Sequence, residues 1–533
     1  MNKTALTKTY TKDIQNFCLN SKKIVLSLAT ISFSASCTHA TLTPEIETYE
    51  EATNRHAKAR SGLRSGSSSN ETINNLQTLT KTISGTGNTL VIESSGTITI
   101  SNGGQQAVNF TQNSSTSTFL NKGTLIGGNN TASVQLGANR NNGVTIETFN
   151  NQGIIGNGSS KFGVTVWGNS NNKSTINNFT NSGTIYSNTG ESIYFGNANI
   201  SSFVNSGTIK SNSGQGVNIV SGTSIDNFSN SGTGTIEGKK DGIQINTNAN
   251  VKTLTNKGTI KGHAMSIRLN GTIETLTNEG IMDGKSTGIY MSRGFVKTLT
   301  NSGTINNQNN SATWTAGIKL ENGSTIENII NTGSIRSNTF GISVTGGKFG
   351  TLTIKDGGQV YGKYSAIGVG RSQTLGDLYI DGSSNNGTVS GIYSEENGIA
   401  LDANSRTQKI ELKNGGIIQG NIHGIRLDNG ASLSGEMILS GKGSRVEGGR
   451  GAGILNRSGK IEGSITIKDG ATVTATSNLA IANHRSGSIT GGITVSGENT
   501  KLEGNIINTG NSSIGSDIKI EDGAKVEGGL VNQ

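Results

Sequence analysis

Proline is almost absent from this sequence of 533 residues, in which it occurs once, at Pro44. Because proline has no backbone N–H, it is excluded from strands that are hydrogen-bonded on both sides. A disordered chain has no reason to avoid proline and is usually enriched in it. The absence therefore predicts that most of the chain after Pro44 lies in internal strands of a sheet.

Cysteine is absent beyond residue 37, because Cys18 and Cys37 are the only two in the chain. Both lie in a segment with the features of an export signal: residues 1–40 hold five lysines, and the basic "SKK" precedes the apolar "IVLSLATISFSAS". An apolar run of about a dozen residues is too short for a stable membrane span. We predict a signal peptide over 1–40 that is cleaved after Ala40, with lipidation at Cys37 as the alternative. The mature chain then has no disulfide and no cysteine-based metal site.

Charged and aromatic residues are also sparse. The formal net charge is +9, and only 15% of residues are charged and 5% aromatic. So weak a positive charge over so long a chain does not indicate nucleic-acid binding, and we expect no nucleic-acid partner. The basic and serine-rich stretch "AKARSGLRSGSSSN" predicts a flexible linker over 41–72.

Glycine is abundant, at 78 residues, and it belongs to a repeated pattern. Phe or Leu, then Asn, Gly and Ile recur at every second position, as in "FNNQGII" at 149–155. Residues two apart lie on the same face of an extended strand. Beyond residue 350 the Asn-x-Gly step gives way to Asp-Gly and Asn-Gly turns, as in "IELKNGGII". A repeat of about 26 residues indicates a solenoid.

We predict an all-β fold, a right-handed parallel β-helix of about 16 coils of roughly 26 residues. The first part, 73–350, has Asn-x-Gly coils, and the second, 351–533, continues with Asp-Gly and Asn-Gly coils. Phe, Leu and Ile fill a thin core, and Gly occupies a bend that has no room for a Cβ. At the irregular coil after Phe228 we assign Gly232 to the pattern. Stacked asparagines form a hydrogen-bonded asparagine column, with the predicted members Asn121, Asn151, Asn181, Asn205, Asn230, Asn256, Asn278, Asn301 and Asn331.

The leader, the shortage of proline and the "NxGxI" coils together resemble the passenger domains of autotransporters (type V secretion) of Gram-negative bacteria. The likeness covers about residues 70–533 and is nearest to the vacuolating-cytotoxin-like and adhesin-like passengers. It implies delivery to the outer membrane, the cell surface or the medium, and contact with a host-surface protein or glycan. It also implies a C-terminal β-barrel translocator, but the coils continue to "KVEGGLVNQ" at 525–533 with no barrel-like strands. We therefore expect a truncated or interrupted reading frame, and a periplasmic location if no translocator exists.

The sequence shows no catalytic signature. There is no Gly-Asp-Ser-Gly stretch of the kind that surrounds a serine-protease nucleophile. The aspartates that stand next to glycine lie one per coil, mostly in turn positions. We expect no enzyme activity, no cofactor and no metal site. The histidines beyond the leader lie far apart and are expected at the surface: His56, His263, His423 and His484.

The expected function is that of an adhesin or host-surface interaction protein. One alternative is a toxin-like passenger that acts on host membranes. The other is a polysaccharide lyase or hydrolase, which would need several carboxylates or an Asp/Arg cluster on one face, with aromatic platforms for sugars. Binding residues are expected in loops of irregular length, such as 305–317 and 383–398.

Overall fold

The computed structural model describes residues 70–101, 103–137, 143–156, 160–307, 315–383 and 387–533. The predicted signal peptide, its cleavage at Ala40, the lipidation alternative at Cys37 and the linker up to residue 69 lie outside the described residues. The first strand begins at Asn70, three residues before the predicted start of the β-helix.

All regular elements of the described residues are β-strands, and they form a parallel β-helix of about 17 coils of about 26 residues. The predicted all-β parallel β-helix is therefore confirmed, with one coil more than predicted. No helix in these ranges is long and apolar enough to cross a membrane. The number of residues per coil varies. Asn256 bonds the equivalent asparagine of the next coil, Asn278, 22 residues later, whereas Asn121 bonds its equivalent, Asn151, 30 residues later.

Each coil adds its strands to three parallel ladders. The first ladder contains β1 (Asn70–Ile73), β4 (Asn88–Ile92), β7 (Ser115–Asn121), β10 (Thr145–Asn151), β13 (Ser174–Asn181), β16 (Ala198–Asn205), β19 (Ser224–Asn230), β22 (Asn250–Asn256), β25 (Thr272–Asn278), β28 (Phe295–Asn301), β31 (Ser324–Asn331), β34 (Gly347–Ile354), β37 (Thr374–Asp381), β40 (Arg406–Thr407), β41 (Ile410–Lys413), β44 (Ser432–Leu433), β45 (Met437–Ser440), β48 (Lys460–Ile461), β49 (Ile465–Lys468), β51 (Ser488–Ile489), β52 (Ile493–Ser496), β54 (Ser513–Ile514) and β55 (Ile518–Glu521).

The second ladder contains β2 (Leu76–Gln77), β5 (Thr97–Thr99), β8 (Thr124–Ile126), β11 (Ile154–Ile155), β14 (Thr184–Ser187), β17 (Thr208–Ser211), β20 (Thr235–Gly238), β23 (Thr259–Gly262), β26 (Ile281–Gly284), β29 (Thr304–Asn307), β32 (Ser334–Ser337), β35 (Gln359–Gly362), β38 (Gly391–Ser394), β42 (Ile417–Gly420), β46 (Arg445–Gly448) and β56 (Lys525–Glu527). The third contains β3 (Lys81–Ile83), β6 (Val108–Phe110), β9 (Ala132–Leu136), β12 (Phe162–Trp167), β15 (Ile193–Gly196), β18 (Val217–Ile219), β21 (Ile243–Ile245), β24 (Met265–Leu269), β27 (Thr287–Ser292), β30 (Ala316–Glu321), β33 (Phe340–Val344), β36 (Ser365–Val369), β39 (Asn397–Leu401), β43 (His423–Asp428), β47 (Ile454–Arg457) and β57 (Leu530–Asn532). The long strands β50 (Thr472–His484) and β53 (Lys501–Thr509) take part in both.

One continuous apolar core runs from Ile73 to Ile506 between the three ladders. Alternating positions of each strand point inward, and identical side chains stack on one another from coil to coil. In the first ladder Phe149 packs on Phe179 with ring centroids 4.4 Å apart, and Phe203 packs on Phe228 at 4.3 Å. Stacked aromatic rings of this kind contribute more than their buried area alone.

Beside these rings lies the asparagine column, with all nine members at 0% exposure. Each of the first eight side-chain amides donates to the Oδ1 of the asparagine in the next coil at 2.7–2.8 Å. The last, Asn331, has Ile354 above it and donates to backbone carbonyls instead. All the amide dipoles therefore point the same way along the rod, an arrangement in which hydrogen bonds strengthen one another. Only the first acceptor, Oδ1 of Asn121, has no donor, because Ile92 occupies the position below it.

A second, shorter column was not predicted. In the third ladder Asn456, Asn483, Asn508 and Asn532 bond one another at 2.7–2.8 Å in the same direction. Its first acceptor is again unpaired, with Leu427 below it. The sequence contains its signal, since "ILN", "IAN" and "IIN" precede three of these turns.

The repeated glycines form a third column, which we call the glycine column. A Cβ built on Gly183 would lie less than 3.0 Å from the carbonyl oxygen of Gly153, and the same holds along the stack. Their backbone φ values are not positive, so close approach between coils, rather than turn geometry, requires glycine here. The assignment of Gly232 to this pattern was wrong: Gly234 fills the column, and Gly232 has open space around it.

Candidate functional site

The side chains that could contact a partner are concentrated on the outer face of the third ladder. From β21 to β30 the outward positions carry Gln244, Arg268, Tyr290 and Lys319 in successive coils. The outward face of the first ladder differs, because its strands carry threonine, serine and asparagine with single exposed charges, such as Lys252. The candidate site lies on the third ladder, where charged and aromatic side chains contact one another from coil to coil.

A chain of polar contacts crosses four coils of this face. Arg268 Nε donates to the buried carboxylate of Asp241 at 2.9 Å, and its guanidinium lies 5.4 Å from the ring centroid of Tyr290. The Tyr290 hydroxyl donates to Glu321 Oε2 at 2.7 Å, and Lys319 pairs with the same carboxylate at 2.6 Å. This series of polar contacts thus leads to Glu321, which is the last residue of β30.

Glu321 stands at the centre of a groove, which consists of two adjoining depressions of about 770 and 600 Å³ that share Glu321 and Thr345. The first is lined by Glu321, Asn322, Gly323, Ser324, Thr325, Thr345, Gly346, Gly347, Lys348, Ser372, Gln373 and Thr374. The second is lined by Lys319, Glu321, Thr345, Gly370, Arg371, Asp402, Ala403, Asp428 and Asn429.

The groove lies along the turns that lead from the third ladder to the first. The turns 322–323 and 345–346 have two residues, whereas the next two turns, 370–373 and 402–405, have four. Gly346 has no room for a side chain, since its Cβ would meet the backbone nitrogen of Asn322. The groove therefore crosses the change from two-residue to four-residue turns.

At the far end of the groove, two arginines and two aspartates form an ion-pair network. Arg457 donates to both carboxylate oxygens of Asp428 at 2.8 Å, the bidentate geometry that suits a guanidinium. Arg426 lies between Asp402 and Asp428, with nitrogen–oxygen distances of 3.0 and 3.1 Å. Asp428 is only 5% exposed. A buried carboxylate bound by two guanidiniums fixes both arginines in place.

Each acidic side chain of the groove is therefore paired with a basic one. Burial opposes the charged form of Glu321, but hydrogen bonds from Lys319 and Tyr290 outweigh it, so the pKa of Glu321 lies below its ordinary value. Burial and the bond to Glu321 raise the pKa of Tyr290. Glu321 therefore stays ionised in neutral solution and is unsuited to the role of general acid.

An aromatic platform lies on the same ladder, five to six coils before Lys319. The rings of Trp167 and Tyr194 are 4.4 Å apart, and Phe162 lies 6.3 Å from Tyr194. Gly196 leaves space for the indole on the neighbouring strand. All three rings are half-exposed, so aromatic surface for stacking exists on the face that carries the groove.

His423, at the start of β43, is half-buried and not a surface residue as predicted. Its Nδ1 accepts a hydrogen bond from the backbone N–H of Ala452 at 2.9 Å. Burial lowers the pKa of His423 to about 4, with a further lowering by the nearby Arg426. The ring is therefore neutral in the folded protein at neutral pH.

We expect this histidine to make the fold sensitive to mild acid. Its folded pKa is below the unfolded value, so its contribution is present above pH 6.5 and is lost as the pH falls toward 4. The full shift corresponds to about 3 kcal/mol, and partial exposure reduces the expected loss to about 1–2 kcal/mol. Urea unfolding between pH 7 and 4 should show a shallower loss in His423→Gln, whose amide oxygen can still accept the Ala452 bond. Equal slopes in both proteins would contradict this.

The sequence-predicted residues and the groove lie apart. The asparagine column is buried in the core and lines no part of the groove. Of the loops singled out from the sequence, 308–314 and 384–386 lie outside the described residues, and the described parts contribute nothing to the groove. In the described ranges, no group of three His, Cys, Asp or Glu is placed to hold a metal ion. No family model, curated protein or solved structure matches this chain.

Proposed function

We propose that this protein is an exported β-helical passenger of the autotransporter type, from a Gram-negative bacterium, that binds a host-surface protein or glycan. The right-handed form of the β-helix, surface display or secretion, and a separate β-barrel translocator belong to this proposal. The export leader and the β-helical fold support it. The single observation that carries the binding role is the groove, an open polar depression beside a face with half-exposed aromatic rings.

The shape of the site favours binding over a buried reaction. Its depressions are open and lined by hydroxyls, amides, glycines and paired charges. Such shallow surfaces reach useful affinity through several contacts made at once. A rod that repeats similar coils offers many of these contacts along one line.

The test is binding of the fluorescently labelled full chain to cultured epithelial cells. We expect saturable binding that excess unlabelled chain displaces, with the heat-unfolded chain as the control. Binding that does not saturate, or that the unfolded chain reproduces, would contradict the proposal. Leakage of dye from liposomes at the same protein concentrations would instead support a toxin-like passenger.

A polysaccharide lyase or hydrolase is the second candidate, favoured by the network of Asp402, Arg426, Asp428 and Arg457. An Asp/Arg cluster on one face is what such a site requires. Incubation of the chain with polygalacturonate, followed by measurement of reducing ends and of ultraviolet absorbance from unsaturated products, tests it. New ends above those of the heat-unfolded chain would favour the enzyme.

A further inference from the structure

The groove contains cations that nothing in the described part of the chain neutralises. Every carboxylate in it has a basic partner, as shown above for Glu321, Asp402 and Asp428. Lys348 and Arg371, in contrast, are exposed and have no ion-pair partner among the described residues. Five basic side chains and three acidic ones line or contact the groove, so its balance is positive.

The lining indicates the chemistry of an occupant. Thr325, Ser372, Gln373 and Thr374 present hydroxyl and amide groups, and the glycines expose backbone. An extended peptide would need pockets for alternate side chains, whereas these walls offer donors and acceptors and contain no apolar side chain larger than that of Ala403. They suit a ligand that carries many hydroxyls.

The groove is also linear. The lining residues come from five successive coils, at 321–325, 345–348, 370–374, 402–403 and 428–429, so the groove runs along the rod from the Lys319–Glu321 pair to the Arg426–Asp428 pair. At about 4.8 Å per coil, the ends are about 20 Å apart. The free cations Lys348 and Arg371 lie on adjacent coils beside this line.

We propose that the groove binds a linear anionic polysaccharide, laid along the rod, whose sulfate or carboxylate groups meet Lys348 and Arg371. This rests on the proposed binding function and names the class of its ligand. The hydroxyls of the sugar chain bond the serine, threonine and glutamine side chains of the walls.

The test measures binding of the full chain to heparin (sulfated), polygalacturonate (carboxylated), dextran (neutral) and poly-glutamate (an acidic polypeptide) by titration calorimetry. We expect heparin or polygalacturonate to bind, with affinity that falls as salt rises, and dextran to fail. The double variant Lys348→Ala/Arg371→Ala should weaken binding at least tenfold, and Lys348→Arg/Arg371→Lys should retain most of it. The matched control is Lys252→Ala/Lys297→Ala, which removes the same charge from exposed sites on the first ladder and should stay within twofold.

Equal weakening by the two alanine pairs would overturn the site, since binding would then follow overall charge. Failure of both anionic polysaccharides, or equally tight binding of poly-glutamate, would overturn the ligand class. The same variants separate this inference from the proposed function. If Lys348→Ala/Arg371→Ala binds cells as the wild type does, the groove is excluded as the site of cell binding, while the proposed binding function of the protein stands.

Discussion

Replacing Asn256 by aspartate should lower the free energy of unfolding by about 3–5 kcal/mol at pH 7, because it buries an unpaired charge. The Asn256 amide donates to Asn278 Oδ1 at 2.8 Å and to the carbonyl of Ile281 at 3.1 Å, and its oxygen accepts from Asn230. A carboxylate has the same shape but no donor. It would face two acceptors across the space where the N–H groups now lie.

The effect should depend on pH in a direction that identifies its cause. Burial raises the folded pKa of the introduced carboxyl above its unfolded value of about 3.9. The protonated acid can donate one hydrogen bond, so the loss should be smallest below pH 4 and grow as the pH rises. Urea unfolding at pH 3.5, 5 and 7 measures it, with hydrogen exchange of residues 250–281 to locate the opened coil.

Two further variants separate the charge from the lost bonds. Asn256→Ala should cost about 2–3 kcal/mol at every pH, since it leaves buried partners unpaired but introduces no charge. Asn328→Asp, at an exposed position of β31, should stay within about 0.5 kcal/mol. An Asn256→Asp variant as stable as Asn328→Asp would refute the role of the asparagine column.

The core could be predicted from the sequence because the pattern that decides which residues are buried lies within each short strand. Alternation decides which side of a strand a residue faces, so Phe149, Asn151 and Gly153 could be assigned to the interior from "FNNQGII" alone. Parallel stacking of equivalent positions then follows from the repeat. The second asparagine column, which begins at Asn456, was missed because it lies in a different ladder. Its first three asparagines have Ile two residues earlier, and not the Phe or Leu that marks most of the first column.

The groove could not be predicted, because its contacts depend on how many residues each coil contains. Arg426 meets Asp402, 24 residues earlier, whereas Arg457 meets Asp428, 29 residues earlier. A single average period does not bring both pairs into register. The groove also crosses a change in turn length, which leaves no trace in the alternation of apolar residues. Gly232 shows the same limit, since two inserted residues moved the glycine of the column to position 234.

Alanine at Gly183 should be among the most damaging of single-methyl additions to this chain, with an expected loss of about 3 kcal/mol. Its Cβ would meet the carbonyl of Gly153 and the backbone of Gln152, and neither is the end of a flexible side chain. The Gly153 carbonyl also accepts the N–H of Thr184 at 2.8 Å, so the coil cannot move away without loss of that bond. The same contact recurs in the coils above and below, which limits relaxation along the rod.

Gly232→Ala supplies the matched control for Gly183→Ala, because it adds the same methyl group at the same corner of a coil, in a turn that is two residues longer. Nothing lies within 4 Å of its Cβ position and its φ is not positive. With no clash, the smaller conformational freedom of the unfolded alanine chain should leave stability unchanged or raise it by up to about 1 kcal/mol. Thermal and urea unfolding of the two variants should therefore shift in opposite directions or differ by several kcal/mol. Equal losses would show that glycine is needed here for turn conformation; a loss confined to Gly183→Ala shows that it is needed for the spacing between coils.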